Sequence, residues 1–264
     1  MEAGGRAGMR KRLERAAHLA RALPGKIGLY ALYPATGDEI RFHADMPMEA
    51  ASVIKLPIMA EAFRQREAGT LDFAMPVTVR REDKLPSCGA LTYLHDGLTV
   101  QAGDLVTLMI ILSDNTATNL LIDLLGQEHI NRTIAALGLT GTQLNRKLFD
   151  AAQAALGVQN YVTAADMGAL LTGLWRGEIV SPDASREMLD ILYNQRLNGK
   201  LPFFLHGRGI RCAHKTGEDN GITHDVGIID GDSPCVVCFL SNGADVPRTE
   251  RTIQEAGAIL AGLF

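Results

Sequence analysis

The chain opens with Leu13, Ala16, Leu19 and Leu23 recurring at helical spacing among charged residues, a pattern that predicts a helix stopped by Pro24-Gly25. Lys26–Tyr33 then alternates as a strand. Pro34-Ala35-Thr36-Gly37 is turn chemistry, and a second strand expected near 39–44 completes a hairpin. Apolar residues surround Ser52, where a helix is expected to open and run to Glu67 before Ala68-Gly69 closes it. Pro57 lies early enough in that helix to remove few backbone bonds. Three helices are expected next: one capped by Thr99 and running to Leu112, one capped by Asn115 and ended by Gly126, and one over 127–137 ended by Gly138. The stretch 139–162 shows no period and reads as a long loop. Thr163-Ala164-Ala165-Asp166 resembles a capping box, and Pro182 begins a further helix. Strand character returns in runs at 212–215, 224–229 and 235–241, with Gly231-Asp232-Ser233-Pro234 turning between the last two, and a helix over 248–263 follows. Strands at both ends with helices between point to an α+β fold: one antiparallel sheet built from both termini, flanked by helices, with an inserted all-helical lobe. The expected organisation is a single domain over 1–264, with an α/β lobe from 1–50 plus 190–264 and a helical lobe from 51–189.

Composition narrows the function more than the fold. Of 264 residues, 47% are hydrophobic and 21% charged, with a formal charge of −4, so nothing favours a polyanion or a membrane surface as partner. The basic run Arg10-Lys11-Arg12 with Arg15 alternates with the apolar residues of the first helix and reads as its solvated face rather than a nucleic-acid patch. After that run a secretory leader would need roughly 7–15 consecutive apolar residues. Glu14, Arg15, His18 and Arg21 interrupt any such stretch. No segment reaches the ~18 apolar residues of a membrane span. The expectation is a cytoplasmic monomer without membrane or nucleic-acid partners, or a trimmed form of an exported protein. Cys235 and Cys238 have redox or zinc spacing, but they sit in Cys-Val-Val-Cys-Phe-Leu, which reads as a buried strand whose residues three apart face opposite ways. With Cys88 and Cys212 they are expected to be structural thiols. His95, His206 and His214 are not spaced as ligands, so neither metal nor cofactor is expected.

Three short runs carry the chemistry. Ser52-Val53-Ile54-Lys55 places a hydroxyl and an amine one turn apart on a helix face, and a serine needs such an adjacent base to act as a nucleophile. Taken alone, this spacing is more often a cap and a surface lysine. Here Ala50, Ala51, Val53, Ile54, Leu56, Pro57 and Ile58 make Lys55 a charge inside an apolar run, and a buried lysine needs a reason. Ser113-Asp114-Asn115 interrupts two apolar helices, which any ordinary capped connection could also do. Lys215-Thr216-Gly217 falls on an expected edge strand, where an exposed polar edge is the plain alternative.

In this order the three runs resemble class A β-lactamases and penicillin-binding proteins, and the resemblance extends from about Lys26 onward, including Thr116-Ala117-Thr118-Asn119-Leu120-Leu121. It implies a serine hydrolase whose site lies between two lobes. Ser52 would be acylated, Lys55 would be the base, and Ser113 would relay a proton to the leaving nitrogen. Asp114 would hold the turn through backbone bonds, and Asn115 would bind the substrate's side-chain amide. Lys215 and Thr216 would hold a substrate carboxylate, Gly217 would let substrate lie along the strand, and the Glu218 N–H would be the second oxyanion donor. His224 falls where many β-lactamases place a carboxylate-assisting arginine, which Arg208 or Arg211 could replace.

The chain departs from class A where the deacylating glutamate and asparagine should stand. Leu144-Asn145-Arg146 matches the run before them, which puts Leu148 and Ala152 at those two positions, with Asp150 the nearest carboxylate. A general base is worth ~10²–10⁴ in rate. The expected activity is therefore acylation at Ser52 by β-lactam or related acyl substrates with slow deacylation. A D-alanyl peptidase, amidase or esterase is an alternative, as is a covalent β-lactam sensor.

Overall fold

The computed structural model describes residues 3–264. Helix α1 (Ala3–Arg21) leads into strands β1 (Lys26–Tyr33) and β2 (Asp38–Phe42), which pair antiparallel as the expected hairpin. The last three long strands, β7 (Arg211–Asp219), β8 (Ile222–Asp230) and β9 (Cys235–Asn242), complete an antiparallel sheet in the order β2-β1-β9-β8-β7. The sheet therefore joins segments from the two ends of the chain, and β7 is left as a free edge.

Strict alternation along the central strands serves two cores. Ile27, Leu29, Ala31 and Tyr33 of β1 pack with Val237 and Phe239 of β9 against the apolar stripe of α1, Leu13, Ala16, Ala17 and Ala20, and against α9 (Val246–Leu260). Tyr30, Leu32, Val236 and Leu240 face the other way, onto α7 (Ala164–Arg176) and the remaining helices. Cys235 lies in the first core and Cys238 in the second, and both are free thiols. Arg6 and Arg10 of α1 both bond Asp38 at the start of β2, at 2.9 and 2.8 Å, so part of the basic run anchors the hairpin.

Between the sheet segments lie α2 (Lys55–Glu67), α3 (Ala102–Ile111), α4 (Asn115–Leu125), α5 (Gln127–Ala136), the short α6 (Ala151–Ala155), α7 and α8 (Pro182–Tyr193). Several expected boundaries move. The helix at Ser52 starts as a 3-10 turn over Ala51–Ile54, and α2 proper begins at Lys55. Thr99 lies in a short strand, β5 (Leu98–Gln101), paired with β4 (Pro76–Val79); Gln101 caps α3 instead. Asp114, not Asn115, caps α4. The 139–162 stretch holds α6 and a two-residue strand, β6 (Tyr161–Val162), paired with β3 (Met48–Glu49). The capping box at α7 is half formed: Thr163 accepts from the Asp166 N–H, but the Asp166 carboxylate turns to Gly141 and Thr142. No described helix is long and apolar enough to cross a membrane.

Candidate active site

The 3-10 turn and α2 point at the free edge of β7, and between them opens a cleft of about 640 Å³. Ser52 is half-buried on its floor, preceded by Ala51 in a left-handed conformation (φ 42°) that turns the chain sharply from β3 into the helix. Glu49 and Ala50 are held from both sides. Ala50 donates to the Asn160 carbonyl at 2.8 Å, and Glu49 donates to the Asn242 side chain at 3.0 Å. The backbone before Ser52 is thereby fixed to the 139–162 segment on one side and to the end of β9 on the other.

Lys55 is wholly buried below Ser52. Its amine lies 2.7 Å from the Ser113 carbonyl, 3.1 Å from Ser113 Oγ and 2.8 Å from Asn115 Oδ1. Lys215, also wholly buried, reaches the same Ser113 hydroxyl at 3.0 Å and the Thr216 carbonyl at 2.7 Å. One hydroxyl therefore sits between two amines. Burial, and then the charge of Lys215, hold Lys55 well below the ordinary lysine range. Lys215 is lowered to about 7, chiefly by burial. In its neutral form Lys55 would keep two N–H donors for the carbonyl oxygens and a lone pair that can face a hydroxyl.

Ser113 takes its place through a left-handed backbone (φ 54°) at the break between α3 and α4. Asp114 fixes that break. One carboxylate oxygen accepts from Ala117 N at the head of α4, and the other accepts from Ala90 N and Leu91 N at 2.7 and 2.9 Å. Gly89 leaves room for this: a Cβ there would lie 2.4 Å from the Asp114 carboxyl carbon. Asn115 lines the cleft beside Cys88.

On the opposite wall, Gly217 allows β7 to approach the turn that carries Ser52. A Cβ would stand 3.1 Å from Val53 Cγ2 and 3.0 Å from His224 Cδ2. Ser52, Asn115 and Glu218 line the cleft, hydrogen bonds join Lys55, Ser113, Asn115, Lys215 and Thr216, and Gly217 lies against Val53, so all eight fall in one region.

His224 has a different place from the one its position suggests. It is wholly buried, accepts from Ser241 N at Nδ1 (3.0 Å) and donates from Nε2 to the Glu49 carbonyl (2.8 Å). A backbone N–H can only donate and a carbonyl can only accept, so the ring is the neutral Nε2–H tautomer, and burial lowers its pKa to about 4. It ties β3 to the sheet and carries no charge for a substrate. Arg211 is engaged with Asp230 at 2.7 Å and stacks on Tyr193, and neither it nor Arg208 lines the cleft.

The 139–162 segment forms the remaining wall. The Arg146 guanidinium bonds Val158 O and Gln159 Oε1, and Asn160 gathers the Asn145 and Arg146 N–H groups. Asn119 pins Leu148 through both its backbone groups at 2.9 Å, leaving Leu148 on the cleft wall. The Asp150 carboxylate also lines the cleft, but it caps α6 by accepting from Gln153 N. Among the described residues no group of three His, Cys, Asp or Glu side chains is arranged to hold a metal.

Sequence reasoning missed Cys88, which reaches the cleft from a loop without periodicity, and Lys200, buried behind β7. Lys200 follows Asn198-Gly199 in a turn-like stretch, with nothing to signal burial.

Comparison with known proteins agrees with this geometry. Residues 9–264 match the model of the beta-lactamase enzyme family. A beta-lactamase from Sphaerobacter thermophilus is similar at 33% identity and a TM-score of 0.87, covering 96% of this chain and 98% of its own. PBP-A is similar at 28% identity and 0.85, with 96% and 95% covered, and has also been solved as a leucine-to-glutamate mutant in an acyl-enzyme complex with penicillin G. An ancestral class A beta-lactamase is similar at 26% identity and 0.86, with 96% and 100% covered.

Proposed function

The chain belongs to the beta-lactamase enzyme family and is a serine hydrolase of that family, and from this premise we propose that Ser52 is acylated by β-lactams or related acyl compounds and released slowly. The observation that carries the first half is Lys55, one turn beyond Ser52, wholly buried against Ser113 and beside Lys215, an environment that lowers its pKa well below the ordinary lysine range. Lys55 accepts the Ser52 proton as Oγ attacks the carbonyl carbon. The carbonyl oxygen takes up the negative charge facing the N–H groups of Ser52 and Glu218. On collapse, Ser113 gives its hydroxyl proton to the departing nitrogen and recovers one from Lys55 along the 3.1 Å contact, which returns the amine to its neutral form. Lys215 and Thr216 hold the substrate carboxylate, and Asn115 holds the acyl amide.

Slow release is supported by the cleft wall. The Leu148 side chain offers no acceptor to a water, and Asp150 commits Oδ1 to the cap of α6. Acylation of a PBP-A mutant by penicillin G, stated for that protein, supports the same chemistry here.

The test is a time course of acyl-enzyme mass with benzylpenicillin. A burst of one adduct followed by slow release is expected, with Ser52→Ala abolishing the adduct and Asp150→Asn leaving release unchanged. Rapid turnover without a burst that Asp150→Asn destroys would show that Asp150 is the deacylating base. An adduct surviving Ser52→Ala would sink the assignment of the nucleophile.

A further inference from the structure

We propose that Lys200, which touches no substrate, is a positioning residue for the oxyanion donor of β7: it fixes the Gly217–Glu218 peptide and neutralises the Glu218 carboxylate beside it. The inference rests on the acylation chemistry above and deepens it. The Lys200 side chain is 4% exposed, and its ammonium lies 2.9 Å from Glu218 Oε1, 3.2 Å from the His224 carbonyl and 3.5 Å from the Gly217 carbonyl. Glu250 of α9 stands 4.0 Å away. A buried ammonium is costly to keep, and this one is seated by a rigid frame. Leu201 N donates to Asp225, whose other oxygen meets His214 at 2.8 Å, and His214 meets Asn198 at 3.0 Å. The segment carrying Lys200 is thus pinned on both sides of it.

Strand geometry supplies the reason. Along β7 the backbone groups of successive residues point alternately to the neighbouring strand and away from it. The Thr216 carbonyl points away from β8, since Lys215 in the cleft donates to it at 2.7 Å. Gly217 therefore turns its carbonyl toward β8 and Lys200, and Glu218 turns its N–H out over the free edge, into the cleft. Gly217 C=O and Glu218 N–H are the two ends of one peptide group. A cation on the carbonyl end holds the plane and strengthens the N–H as a donor to a developing oxyanion.

The same ammonium answers a problem the sequence sets. Glu218 puts a carboxylate on the residue whose N–H must face negative charge. Glu218 and Thr223, opposite each other in the register, share the sheet side facing α9, where Thr223 bonds Glu250. Lys200 meets Glu218 on that side and pairs its half-exposed carboxylate. Without Lys200 the carboxylate would be unpaired next to the forming oxyanion.

The experiment is a double-mutant cycle on the full chain, measuring the acylation rate and the dissociation constant for benzylpenicillin separately. Lys200→Met should slow acylation ~10-fold or more with little change in binding. Glu218→Gln added to Lys200→Met should restore at least part of that loss, because the repelling charge is gone. The alkaline limb of the acylation profile should also move to higher pH, since the Lys200 charge is one of those lowering Lys215. If Lys200→Met does not fold, Lys200→Gln carries the same cycle. Unchanged acylation, or a loss in rate and binding together that Glu218→Gln does not relieve, overturns the proposal. Absence of any wild-type adduct at Ser52 would instead overturn the acylation reading.

Discussion

Two lysines around one serine hydroxyl give the site a narrow working range of protonation. In the proposed mechanism Lys55 acts as a neutral amine and Lys215 as a charged one. Burial lowers Lys215 to about 7, and burial, with the Lys215 charge second, holds Lys55 well below the ordinary lysine range. For a carboxylate-bearing penicillin, kcat/KM should therefore fall as pH rises through about 7, whereas a neutral ester should show no such alkaline limb. Lys215→Ala should cost penicillins roughly 10- to 100-fold, the worth of a charge-assisted hydrogen bond, and neutral esters far less. Equal losses on both would mean that Lys215 supports structure alone. His224 makes a second prediction. Its folded pKa of about 4 lies below the ordinary 6.5, so between these values the unfolded chain binds more protons and stability rises with pH. About 3 kcal/mol should be lost on acidification from 6.5 to 4. Urea titrations of wild type and His224→Gln should differ in that slope, and parallel curves would contradict it. The site motifs were legible because each pairs a reactive group with a local context that would otherwise be penalised, as Lys55 does in its apolar run. Lys200 and the tautomer of His224 were not, because both depend on which backbone groups a strand turns toward its neighbour.

Among the elements, those bounded by strong local signals match their expectations closely. β1 runs over Lys26–Tyr33 between Pro24-Gly25 and a turn, and α8 starts at Pro182 behind its Ser181 cap. Errors fall where two residues compete for one local role. Asp114 and Asn115 are both good caps, and the choice is made by tertiary contacts: Asn115 turns to Lys55, and Asp114 collects the Ala90 and Leu91 N–H groups. β6 is two residues long and exists because β3 lies beside it, a pairing no local pattern can announce. Asp114 thereby joins the head of α4 to the turn at Ala90-Leu91 with one carboxylate. Asp114→Ala should remove a cap worth ~1 kcal/mol and orphan two further N–H groups, for a total of roughly 2–4 kcal/mol. Denaturant unfolding would measure it, and a loss under 1 kcal/mol would show that water replaces the carboxylate. Acylation should slow as well, because Ser113 would no longer be held between the two amines.

On the scale of the molecule, sheet order decides when each part can come into being. β1 is buried along seven of its eight residues, and it lies between β2 and β9. Its hairpin partner follows at once, but β9 begins at Cys235. At roughly 5–20 residues per second, the ribosome needs about 10–40 s to make the intervening stretch. During that interval one long edge of an apolar strand has no partner, and the cleft cannot close because β7 and β8 are also unmade. Ser52, Lys55 and Ser113 are synthesised early and wait for a wall that arrives late. Birth of the protein on the ribosome is therefore the moment when its sheet is most open to pairing with a foreign strand.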